Sequence, residues 1–194
     1  MSAPTRGAWL LCALVLSACA HPITIAPELG KLDTPRLRAR PGTIGLYMPA
    51  EDKARQVTTP GGGGDKVSYY PYRDLESGIY KVLGNVYERV VLVPSSTDVE
   101  ALAKNGVSVV VRPQIITQSS SSSALTWPPT NFQVQLSCTF TDISGTTIAE
   151  TLMTGTGNAE FSEFKSDYSL AGKRAAEDAL NKTQSAIIAE KKLK

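Results

Sequence analysis

The chain has 194 residues, a length that fits one domain or at most two. With 42% hydrophobic and 20% charged residues it has the composition of a folded chain, far from the disordered regime. Its formal net charge of +2 argues against a polybasic nucleic-acid binder, which would carry a strong basic excess.

The chain opens "MSAPTRGAWLLCALVLSACAHP". One positive charge, Arg6, precedes an apolar run over 8–16 that is too short to span a bilayer as a mature helix. This predicts a signal peptide over residues 1–18. Its end, Leu16-Ser17-Ala18-Cys19, resembles the bacterial lipobox. That resemblance implies cleavage before Cys19, with Leu16, Ser17 and Ala18 recognised by the lipoprotein signal peptidase. It also implies a diacylglycerol thioether and an N-acyl chain on Cys19, the sole covalent cofactor expected. Each buried methylene contributes about 0.8 kcal/mol, so two or three chains anchor stably. The alternative is an ordinary secretory signal with an incidental cysteine. Ala20, in the place where enterobacterial lipoproteins kept at the inner membrane carry aspartate, points to the outer membrane and its periplasmic face. Of the three cysteines, Cys12 leaves with the signal and Cys19 takes lipid, so Cys138 remains as a lone thiol and no intramolecular disulfide is expected.

Residues 19–42 hold four prolines and no sustained periodicity, which predicts a flexible tether reaching roughly 70 Å if extended. His21, the one histidine, and the alternating Arg36, Arg38 and Arg40 fall in it. A domain over 43–194 follows. "TIGLYMP" (43–49) reads as a strand, and 51–72 as a polar excursion of two weak strands around the glycines at 61–64. Those glycines lack the spacing of a phosphate-binding loop. In "DLESGIYKVLGNVYERV" an apolar stripe of Leu75, Ile79, Val82, Leu83, Val86 and Val90 predicts an amphipathic helix with Asp74 as N-cap. Gly78 and Gly84 each weaken it by about 1 kcal/mol against alanine, so packing must hold it. "RVVLVP" reads as a strand buried on both faces, "SSTDVEALAKNG" as a short helix with a Thr97–Glu100 capping box, and "VSVVVRPQIIT" as another buried strand, bent or interrupted at Pro113.

After Thr117 the pattern changes. "NFQVQLSCTFTD" alternates strictly, with Cys138 on the apolar face, and pairs across "ISGT" with "TIAETLMTGTGNAEF" as an antiparallel hairpin. A long C-terminal helix carries a stripe of small residues, Ala176, Ala179, Leu180, Thr183 and Ile187. The expectation is a single α/β (α+β) domain: a mixed five-stranded sheet built β-α-β-α-β, then the hairpin and final helix, with helices packed on the sheet. The serine-rich loop over 118–131 joins two strands of that domain. Trp127, with Pro128 and Pro129, either contacts a partner or folds back on its own sheet.

No catalytic residue is expected. The lone histidine leaves no Ser-His-Asp or Cys-His set, and there is no H-E-x-x-H or Cys/His cluster for a metal. Ser162 and Lys165 match S-x-x-K without the partner motifs of the penicillin-recognising enzymes, and Glu160 and Glu163 are a single carboxylate pair.

Lipobox, Pro-rich segment, strand, helix, strand, short helix, strand, hairpin and final helix together resemble the YajG-type periplasmic lipoproteins. More distantly they resemble the α/β core of the curli-secretion lipoprotein CsgG, the Pel polysaccharide lipoprotein PelC and the lipoprotein activators of penicillin-binding proteins. The residues carrying the likeness are "VSVVVRPQIIT", the "FQVQLSCTFTD-ISGTTIAE" hairpin and "AAEDALNKTQSAII". The resemblance implies an outer-membrane-anchored, non-enzymatic assembly or accessory factor that binds an envelope protein or itself, with no nucleic acid or small-molecule substrate. The readings beside it are an oligomeric ring supporting polysaccharide or protein export and, third, a cell-wall enzyme. The serine-rich loop and the glycine excursion depart from the pattern, and the long amphipathic hairpins of a CsgG pore are missing.

Overall fold

The computed structural model describes residues 20–32 and 40–193. Eight strands and five helices follow one another: β1 (His21–Pro22), β2 (Arg40–Tyr47), α1 (Ala50–Ala54), β3 (Val57–Pro60), β4 (Lys66–Tyr69), α2 (Pro71–Val86), β5 (Tyr87–Val93), α3 (Val99–Lys104), β6 (Val107–Ser120), β7 (Asn131–Asp142), β8 (Thr147–Asn158), α4 (Phe161–Phe164) and α5 (Leu170–Ala189). The main sheet has the order β5-β2-β6-β7-β8, with β2 parallel to both β5 and β6 and the β6-β7-β8 pairs antiparallel. This is the mixed five-stranded α/β sheet that the sequence predicts. A second sheet, β1-β4-β3, is built from the glycine excursion and the N-terminal segment.

The alternation of β7 and β8 sends Phe132, Val134, Leu136, Cys138 and Phe140 to the face covered by α2 and α5. The opposite face of the antiparallel half is lined by Gln114, Gln118, Gln133, Gln135 and Ser137, the solvated side of a one-sided sheet. On that side α3 covers a small second cluster of Val93, Leu102, Val107 and Val110.

The long helix α5 lies unusually close to β8. A Cβ on Gly155 would stand 2.2 Å from both the Ala175 carbonyl oxygen and the Ala179 nitrogen; one on Gly157 would stand 2.1 Å from the Ala171 carbonyl oxygen. Strand backbone therefore packs directly on helix backbone, which the small residues Ala171, Ala175 and Ala179 permit.

Four local expectations change. Pro113 does not interrupt β6: it pairs with Cys138, and two residues on the Ile115 amide points away from β7 and donates to the Tyr72 hydroxyl (3.2 Å). The N–H that Pro113 lacks thus faces the side where no strand runs, since β2 accompanies β6 to Val111. β5 is an edge strand and not buried on both faces, with Leu92 55% exposed. α2 starts at Pro71, whose missing N–H suits a first helical position, so Asp74 lies inside the helix. The cap of α3 is Asp98, which accepts from the Ala101 amide (3.0 Å), and not Thr97.

The largest difference concerns the expected tether over 19–42. Residues 20–32 are part of the folded body: His21 and Pro22 pair with β4, and Ile25 and Leu32 are fully buried. The physical reason is a set of distant acceptors and donors. The Ile25 amide donates to Asp74 Oδ2 (3.0 Å), the Glu28 amide to Glu177 Oε1 (3.0 Å), and Asn85 Nδ2 to the Leu32 carbonyl (2.8 Å). Arg40 is likewise held, donating to the carbonyls of Ile188 and Leu193. Arg36 and Arg38 lie outside the described residues.

Gly155→Ala pushes α5 off β8 and lowers stability by about 1–3 kcal/mol, read from the urea midpoint. Gly30→Ala, where a Cβ meets nothing within 4 Å, shifts it by less than about 0.5 kcal/mol. Burial raises the Asp74 carboxyl above its ordinary 3.8, in part offset by the Ile25 amide. Its proton therefore favours the folded state, an advantage complete below that ordinary value and lost as pH rises through the raised one. Asp74→Asn keeps the acceptor and removes this pH dependence, whereas Asp74→Ala orphans the Ile25 amide at a cost of about 1–3 kcal/mol; urea midpoints between pH 4 and 8 separate the two.

Candidate functional site

Cys19 and the recognition residues Leu16, Ser17 and Ala18 lie outside the described residues. From Ala20 onward the chain enters the fold at once. The His21 ring stacks on Trp127 with centroids 4.2 Å apart and planes at 22°, and His21 Nε2 stands 3.8 Å from Asp65 Oδ1. Trp127 also packs against the Tyr168 ring at 4.8 Å. Pro128 and Pro129 are buried. The half-buried Trp127 thus packs on its own chain and clamps the N-terminal strand.

The glycines at 61–64 explain how the loop is held. The Gly62 amide donates to the Trp127 carbonyl (2.8 Å) and the Gly63 amide to the Ser123 carbonyl (3.2 Å). A Cβ on Gly61 would lie 2.3 Å from the Trp127 carbonyl oxygen and one on Gly62 1.9 Å from that of Thr126. Both must therefore lack a side chain. Three large apolar side chains at or beside this clamp are exposed: Leu125 94%, Phe161 65% and Tyr168 49%. Sequence reading passed over Leu125, because a lone leucine after a serine run carries no periodicity.

A second feature lies along the outer face of α2 and beside β5. An open groove of about 700 Å³ is lined by Leu29, Tyr80 and Leu92, with Arg73, Glu76 and Asn85 around it. Most of the polar groups around it are already engaged, the exposed Ser77 hydroxyl excepted. Glu76 pairs with Lys53 (3.1 Å), Asn85 donates to Leu32 and Gln184, Arg73 lies over the Tyr70 ring at 3.8 Å, and the Tyr80 hydroxyl donates to the Val90 carbonyl (3.2 Å). What the groove offers is apolar surface.

The two edges of the main sheet differ. Along β8 the backbone is met by side chains at i, i+4 and i+8 of α5: Arg174 donates to the Asn158 carbonyl (2.7 Å), Asp178 accepts from the Thr156 amide (2.9 Å), and Lys182 donates to the Thr154 carbonyl (3.0 Å). This covers the C-terminal half of the strand, residues 154–158, against further pairing. No such ladder runs along β5 among the described residues.

The carboxylate pair Glu160 and Glu163 has a structural role. Arg174 makes two contacts with Glu163 (2.7 and 3.1 Å), and the Glu160 amide donates to Glu163 Oε2 (3.0 Å). The guanidinium, then that amide, push the Glu163 carboxyl down to about 2. A group so acidic is an anion at neutral pH and supplies no proton; with Glu160 it forms the capping box of α4. Ser162 and Lys165 stand exposed at the surface near α4. Among the described residues no group of three His, Cys, Asp or Glu could hold a metal ion, and no helix is long and apolar enough to cross a membrane.

No family model matches the chain, and neither does any curated protein. Solved structures similar to it include a DUF330 protein from Xanthomonas campestris (10% identity, 88% of this chain and 91% of that one, TM-score 0.47). Others are a minor lipoprotein from Acinetobacter baumannii (13%, 76% and 93%, 0.42) and a PelC dodecamer from Paraburkholderia phytofirmans (16%, 76% and 94%, 0.41). These similarities lie in backbone outline.

Cys138 is the buried apolar residue that its strand position predicts, and burial pushes its thiol up to about 12. At pH 8 the folded protein, acylated at Cys19 or carrying serine there, takes up no iodoacetamide over an hour, while the same chain in 8 M urea is alkylated fully, read by intact mass.

Proposed function

We propose that this chain is a lipoprotein anchored at Cys19 in the outer membrane, facing the periplasm, and that it serves as a non-enzymatic accessory factor which binds another envelope protein. The observation that carries the binding role is the apolar groove of Leu29, Tyr80 and Leu92 lying beside the open β5 edge. A small-molecule site needs a few polar groups converging on the ligand, and most of those around this groove are already engaged by their own chain. An extended apolar segment of a partner protein fits better: it adds its backbone to the free edge and seats alternate side chains in the groove. Fixing both molecules at one membrane raises their effective concentration, so a modest contact suffices.

A ring assembled by joining sheet edges between copies would need both edges, and α5 already occupies the 154–158 half of the β8 edge. The adaptor reading therefore stands ahead of the export ring.

A photo-crosslinking residue in place of Tyr80, in cells, tests this. The expected result is one discrete adduct with a different envelope protein, lost when Leu92→Asp is added, while a crosslinker at exposed Ala103 gives none. An adduct of two copies of this chain would favour self-assembly, and the absence of any adduct at position 80 would remove the groove from the reading.

A further inference from the structure

Cys19 and His21 are two positions apart, at most about 7 Å of extended chain. His21 is already paired with Val67 and stacked on Trp127. Acyl chains on Cys19 therefore begin within about 7 Å of a fixed point on the folded domain. The headgroup layer on each side of a bilayer is itself about 5–8 Å deep. There is no room for the domain to hang clear of the membrane.

Around that fixed point, beside the Asp65 carboxylate, stand several exposed apolar side chains. Ser120, Asn131 and Asn158 are paired across β6, β7 and β8 and close one end of the sheet; the 121–130 loop and the 159–169 segment leave from it. Leu125 stands at the tip of that loop, two residues from Trp127, and Tyr168 packs on the Trp127 ring. Phe161 shares a small surface cavity with Ser122 and Thr126 of the loop. The adjacent N-terminal segment is tied to the same corner, with the Thr24 amide donating to Ser169 Oγ (3.4 Å). Tryptophan and tyrosine are the residues that favour the membrane–water boundary, and leucine and phenylalanine partition below it.

We infer that Leu125, Phe161 and Tyr168, grouped around the His21–Trp127 stack, form a bilayer-docking surface that seats this end of the domain in the headgroup layer beside the anchor. The acyl chains supply the binding; the three side chains set the orientation. The inference rests on acylation of Cys19, and its test must separate the two.

Leu125→Cys, Phe161→Cys and Ala103→Cys variants of the lipidated, full-length mature protein are each labelled with a small environment-sensitive fluorophore. They are reconstituted into phosphatidylethanolamine–phosphatidylglycerol vesicles with or without brominated acyl chains. Position 103 is exposed on α3, near the start of β6 and roughly 40 Å from the loop along that strand. Brominated chains are expected to quench labels at 125 and 161 at least threefold more than at 103, and aqueous iodide to show the reverse order. Flotation with the same vesicles reports the anchor. Protein that fails to float overturns the acylation on which the inference rests. Protein that floats while labels at 125 and 161 remain as open to iodide as at 103 overturns the docking surface and leaves the anchor standing. Labels shielded in native envelopes yet open in protein-free vesicles also overturn it, assigning the loop to a protein partner.

Discussion

Where β8 passes under α5, the two backbones touch at Gly155 and Gly157, and a single methyl group at either position would collide with the helix main chain. Much of the arrangement depends on this close approach. It brings the polar side of α5 over the sheet edge, so that Arg174, Asp178 and Lys182 reach the backbone groups of β8. Arg174 then has its remaining hydrogen bonds for Glu163, which places α4 and the segment leading to Tyr168. At the N-terminal part of α5, Gly172 admits the Ile25 side chain, and Glu177 accepts from the Glu28 amide. One contact between main chains thus connects the sealed edge, the short helix and the captured N-terminal segment.

The asymmetry of the sheet follows from the same cause. An unpaired strand edge is a hazard that folded proteins cover, charge or use. Here α5 covers β8, while β5 at the other side keeps an exposed leucine beside an apolar groove. Tyr80 bonds one carbonyl of β5 and lends its ring to the groove wall. On the proposed reading this surface takes another chain rather than a metabolite, with specificity from shape and backbone pairing.

Elements whose signal is local were legible in the sequence. The β7–β8 hairpin announced itself by strict alternation, α2 by its stripe, and the glycines at 61–64 by the turn they make between β3 and β4. The N-terminal segment was not legible, because Ile25 and Leu32 are isolated apolar residues among prolines. The segment is held by Asp74 at Ile25, Glu177 at Glu28 and Asn85 at Leu32, from 49, 149 and 53 positions away. The continuous apolar run of β5 suggested burial on two faces, yet strand order, which no local pattern encodes, put it at the edge. Trp127 stood out as an anchor residue, but its partner His21 sits in the segment that resisted reading, so the anchoring was visible and its object was not. The groove was hidden for a related reason: it forms between the outer side of α2 and a strand whose position was unknown.

With Cys19 acylated, the absence of a long tether alters what anchoring does. A flexible linker fixes concentration but leaves orientation free, and its benefit falls steeply with length. A two-residue link to a paired strand fixes both. Strand register then sets the height of the binding edge. Leu46 pairs with Leu92 on one side and with Val111 on the other, so Leu92 lies level with Val111. From Val111 to Ser120 at the loop end of β6 is about 30 Å along the strand. A domain seated on its loop end therefore carries the open β5 edge well beyond the headgroups, in reach of a partner that projects a similar distance from the membrane. On the proposed reading the fold separates a membrane-facing end from a partner-facing edge by most of the length of one strand, and the captured N-terminal segment is what makes that distance fixed.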